Sequence, residues 1–96
     1  MPHYVLLVNW TDQGIRNVKE TVHRVEAADA LQQKHGLNLE QIYWTVGPYD
    51  IVAFGEAPDD ESASAFLLDV GSRGVVRTTT LRAYGREEMS RIIGSI

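Results

Sequence analysis

Four consecutive residues, Gly47-Pro48-Tyr49-Asp50, raise the first chemical question about this chain. Glycine permits an unusual φ and proline fixes the next one, so the run reads as a tight turn between strands. An aspartate there bonds nearby backbone amides, and a tyrosine packs at a strand end. At the mouth of a cleft, the same side chains would offer a ligand a hydroxyl and a carboxylate. A second polar set lies in Val75 to Tyr84. With Val75, Leu81 and Ala83 toward a helical layer, period-two alternation turns Val76, Thr78, Thr80, Arg82 and Tyr84 to the other side. Two hydroxyls and a guanidinium would then share one cleft, although threonine is also simply a good strand former. A buried Arg82 needs an acceptor, from a partner chain or from an anionic ligand.

The chain has three histidines. His23 sits among Lys19, Glu20 and Glu26, which suits a solvated helix face. His35 precedes Gly36, where a cation complements a helix C-terminus. His3 opens a strand and is the one histidine placed to reach the cleft. The candidate ligand-binding set is therefore Tyr49, Asp50, Thr78, Thr80 and Arg82, with His3 outlying. No histidine pair has zinc-like spacing and there is no cysteine, so neither metal nor disulfide is expected. The sequence lacks a phosphate loop, a nucleophile elbow and a dinucleotide fingerprint, so no cofactor is expected either.

These side chains must be positioned by one small unit. The 96 residues fit a single domain, 1–96, with 44% hydrophobic and 23% charged residues, the balance of a folded globule. A net charge of -4 opposes the polyanion attraction behind nucleic-acid binding and offers no basic face to an anionic membrane. Met1 to Trp10 is apolar but lacks a basic leader region and a cleavage site, so it reads as a strand. A cytoplasmic protein is the expectation.

Tyr4 to Val8 is a β-rich run, apolar on both parities, closed by Asn9 to Asp12. Thr11 or Asp12 caps the helical segment after it. Ile15, Val18, Val22, Val25, Ala28 and Leu31 recur at helical spacing until Gly36, with Thr21 a candidate second cap. Glu20 and Arg24 would form an i, i+4 pair. Leu39 to Val46 alternates as a half-polar strand, and Ile51 to Phe54 is again apolar on both parities. Pro58 to Glu61 opens a helix with face Ala63, Phe66, Leu67 and Val70, ended by Gly71 to Gly74. Val75 to Tyr84 is the fourth strand, and Glu87 to Ile96 a short final helix.

The resulting βαββαβ order is the ferredoxin-like α/β plait, an α+β fold with a four-stranded antiparallel sheet. Its first and third strands are central, and right-handed crossovers place both helices on one face. The other face would then expose the second apolar parity of the central strands, an unusually large patch for a monomer. A second copy stacking sheet against sheet resolves this, so the expected partner is the chain itself, as a homodimer or higher homo-oligomer.

The Gly47, Tyr49 and Asp50 turn resembles the GYD domain family. Val8-Asn9-Trp10-Thr11-Asp12-Gln13-Gly14 and Val76-Arg77-Thr78-Thr79-Thr80-Leu81 support the likeness. It implies a dimeric α+β barrel and no established activity. The Gly-x-Tyr-Asp turn and the Thr-rich strand after Gly74-Val75 are also similar to the effector-binding domain of feast/famine regulators, which implies small effectors held at subunit interfaces. Two function classes remain open. One is a small-ligand-binding or interaction module with an intersubunit cleft, Arg82 favouring a small anionic metabolite. The other is a cofactor-free monooxygenase or isomerase using His3, Asn9, Trp10 and Trp44.

Overall fold

The computed structural model describes residues 1–96. Strand β1 (His3–Trp10) leads into α1 (Asp12–Arg16), a 3-10 turn (Val18–Glu20) and α2 (Thr21–His35). Then come β2 (Asn38–Trp44), β3 (Ile51–Glu56), α3 (Asp60–Gly71), β4 (Val76–Ala83) and α4 (Arg86–Gly94). The sheet is wholly antiparallel, in the order β2-β3-β1-β4, so the two strands apolar on both parities are indeed central. This is the ferredoxin-like plait with one additional C-terminal helix.

The expected caps hold in part. Thr11 Oγ1 accepts the Gly14 N–H at 3.1 Å and donates to the Gly74 carbonyl at 2.6 Å, so α1 is fastened to the approach of β4. A side chain at Gly14 would force the backbone to shift, because its Cβ would lie 2.0 Å from the Val75 carbonyl oxygen. The helix break falls between α1 and α2, but Thr21 is not a cap: its hydroxyl accepts the Trp44 Nε1–H at 3.0 Å. Nor does Arg24 pair with Glu20. Its Nη2 donates to the carbonyls of Gly14 and Asn17 at 3.2 and 2.8 Å, capping the end of α1 instead.

β2 stops at Trp44, two residues short of the expected end. Turn bonds take over, as Thr45 donates its N–H to the Asp50 carbonyl and its hydroxyl to the Tyr49 carbonyl. Val46 is consequently fully exposed, and Gly47 takes φ 152°, which a Cβ would disfavour. A bulge between Leu39 and Gln41 leaves Glu40 without a partner on β3.

The core lies between the sheet and the helices. It comprises Tyr4, Leu6 and Val8 of β1, Ile51 and Ala53 of β3, Val76 of β4, Ala63 and Phe66 of α3, and Ala57. α2 contributes no buried residue. Leu31 packs against this core and the His35 ring meets Phe66 edge-on, and a polar tie to α3 adds to them. His35 Nε2 and Asp69 lie 2.9 Å apart, with Lys34 and, from beyond α3, Arg73 also on that carboxylate. These bonds, His35 first and Lys34 next, hold the Asp69 pKa down to about 2.

Candidate functional site

The register of β4 on β1 settles which way the Thr-rich strand faces. Directly paired residues of an antiparallel ladder share a face. Thr78 pairs with Val8, Thr80 with Leu6 and Arg82 with Tyr4, and Tyr4, Leu6 and Val8 are buried under the helices. Thr78, Thr80 and Arg82 therefore face the helical layer, opposite to the sequence expectation. An alternation counted from Val75 is out of phase because Val75 precedes the strand. Irregular backbone there lets Val75 and Val76 both pack inward, and the regular alternation starts from buried Val76.

The six predicted residues do not share one cleft. His3 is on the open side of the sheet, and Asp50 lies beside the opposite end of β1, next to Tyr49. Asp50 Oδ2 accepts the Trp10 N–H at 2.8 Å, while its own N–H donates to the Val8 carbonyl at 2.8 Å. The aspartate thus joins the turn to β1, as turn chemistry anticipates. Arg82 finds its acceptors inside its own chain: the His3 and Ala83 carbonyls and, at 3.5 Å, Glu88. Its guanidinium sits 4.6 Å from the Tyr84 ring centroid. Beside it the Tyr4 hydroxyl donates to Asp60, and burial together with that carboxylate pushes the Tyr4 pKa up to about 12.

The constellation considered for an enzyme also divides. Trp10 pairs with Val76 and Trp44 with Ile51, both helix-side, whereas His3 and Asn9 belong to the other parity of β1.

Two features stand out once side chains are placed by face. The first is the open face itself. Val5 lies between Phe54 and Leu81, and Leu7 next to Val52, which adjoins Tyr43. Phe54, Leu81 and Tyr43 are 40%, 47% and 52% exposed. At one end of this apolar field His3, Glu40 and Glu56 bring their ligand atoms within 4.8 Å of one another, a donor set able to hold a divalent cation. Sequence spacing missed it because the three residues come from three strands, with the bulge freeing Glu40.

The second feature is a cavity of about 460 Å³ between α2, α3 and the sheet. Of its 22 lining residues 17 are hydrophobic, among them Leu6, Trp10, Ala28, Leu31, Phe66 and Val76. Thr78 is the one member of the predicted set in its wall. Arg24 is there too, its Nε and Nη1 shut away from water without a hydrogen-bond partner. The signal for Arg24 was its spacing: it lies four and seven residues before Ala28 and Leu31, on the apolar stripe of α2.

Comparison with known proteins agrees with this architecture. A crystal structure of TTHA0845 from Thermus thermophilus superposes with a TM-score of 0.61 at 27% identity, covering 90% of this chain and all of that one. A protein from the same organism, named "Glutamine synthetase and cystathionine beta-lyase binding protein", is 33% identical over 84 residues. That match spans 86% of this chain and 88% of the relative. The family model described as the GYD domain matches residues 4–93, which include the Gly47-Pro48-Tyr49-Asp50 turn, so the chain belongs to the GYD domain family.

Proposed function

We propose that this chain is a protein-interaction module that assembles with itself through the open face of its sheet and, so assembled, binds a metabolic enzyme. The observation that carries the first half is the apolar field of Val5, Leu7, Val52, Phe54 and Leu81 at the sheet centre. Apolar surface removed from water contributes about 25 cal/mol per Å², and stacked sheets interleave such side chains across about 10 Å. A self-complementary patch on a two-fold axis makes a closed dimer. Helix α4, with Met89, Ile92 and Ile93 exposed along it, leaves further apolar surface for a partner protein.

The second half is supported by the relative named for binding two enzymes. Glutamine synthetase is the first enzyme to test. Sedimentation velocity of a mixture is expected to show the two proteins migrating together, with Phe54→Glu weakening that comigration by disturbing assembly. Independent migration with glutamine synthetase and with cystathionine beta-lyase would overturn the enzyme-partner reading.

A further inference from the structure

The charge of the cavity wall is at odds with the charge of the chain. The protein carries 13 acidic and 9 basic residues, yet among the residues lining the cavity there are two arginines, Arg24 and Arg73, and no aspartate or glutamate. The remaining polar lining is Thr21, Gln32 and Thr78. Arg73 has an anionic neighbour in Asp69 at 3.4 Å. Arg24 forms no ion pair. Its Nη2 is spent on two backbone carbonyls, leaving the N–H groups of Nε and Nη1 unpartnered and out of water. A guanidinium stays charged at any working pH, and a buried cation without a counter-charge is costly.

An apolar chamber with one under-satisfied cation in its wall selects a specific ligand chemistry. An apolar body gains by leaving water for Leu6, Leu31, Phe66 and their neighbours. An acidic head gains a charge-assisted hydrogen bond with Arg24, one of the stronger kinds. The unbranched stem of Arg24 lets Nη1 turn toward the chamber it borders. A cavity of about 460 Å³ is within the range of small-molecule sites, roughly 300–1,000 Å³. We propose that the chamber between α2, α3 and the sheet is a binding site for a small monocarboxylic acid with an apolar aliphatic or aromatic body, its carboxylate held by Arg24. This site lies on the helix side of the sheet and does not depend on the assembly proposed for the other side.

The test pairs octanoate with octanol, equal in chain length and different in charge, in calorimetric titrations of the full chain at neutral pH. Octanoate is expected to bind saturably at one per chain, with octanol at least about ten-fold weaker. Arg24→Met is expected to erase that preference. Ala28→Phe, which fills the chamber from α2, is expected to abolish binding of both. Arg24 also caps α1, so if its variant fails to fold the Ala28 variant decides, and octanoate binding unchanged in it overturns the proposal. So does equal affinity for octanol and octanoate, or the lack of saturable binding to the native chain. Running Phe54→Glu in parallel separates the two readings, since a monomeric variant is expected to keep its octanoate affinity.

Discussion

Leu6 and Leu7 are neighbours in β1 with the same side chain, but they live in different surroundings. Leu6 is 5% exposed beneath the helices, beside Ala53 and Thr80 in the ladder. Leu7 lies on the face that no element covers, beside Val52 and Thr79. Burial by its own chain makes Leu6 a determinant of the fold. Leu7 gains comparable burial only when another molecule supplies it. One strand thus carries an intramolecular core on one parity and, in the assembly proposed above, an association surface on the other, so both parities are apolar.

Truncating each leucine in turn puts this contrast under the most strain. Leu6→Ala is expected to cost about 2–5 kcal/mol in urea unfolding. Leu7→Ala is expected to leave the isolated chain nearly as stable while weakening its association. Equal losses of chain stability at concentrations where the protein is monomeric would show that the two faces are not different in kind.

Two further substitutions probe how the helix side is fixed in place. Gly14→Ala pushes a Cβ against the Val75 carbonyl, so a loss of about 1–3 kcal/mol is expected in the same unfolding experiment. Thr11→Ala removes the cap of α1 and its bond to Gly74, for about 1 kcal/mol. Neither should change the oligomeric state, since both positions lie at the α1–β4 junction.

The smallest expected effect is pH-dependent. Asp69, which ties α3 to His35 and Lys34 of α2, has its pKa depressed from 3.8 to about 2. A depressed carboxylate contributes stability above its unfolded value and loses it as pH falls. The Tm gap between native chain and Asp69→Asn should therefore close as pH drops from 3.8 toward 2. A gap that persists at the bottom of that window would show that ionisation of Asp69 is not what ties α2 to α3.

Much of the fold was legible because hydrophobic period and turn chemistry are local. The two doubly apolar runs marked the central strands, Thr11 and Asp12 marked the start of α1, and Gly47 and Asp50 marked the turn. The site was less legible because it depends on tertiary register. One irregular residue, Val75, inverted the reading of Thr78, Thr80 and Arg82. Arg24 looked like a surface partner of Glu20, since nothing local says that the end of α1 folds back against it. His3, Glu40 and Glu56 meet only after three strands pair and a bulge displaces one residue. Neither the chamber under α2 nor its charge could be seen without knowing which side chains face inward.

Sedimentation equilibrium at low micromolar concentration tests the two-faced sheet most directly. The native chain is predicted to show at least twice its 10.7 kDa mass, and Phe54→Glu to shift toward the single-chain value with its secondary structure intact. A native protein that sediments only as a 10.7 kDa species would contradict the account, because its open apolar face would then stand in water uncovered.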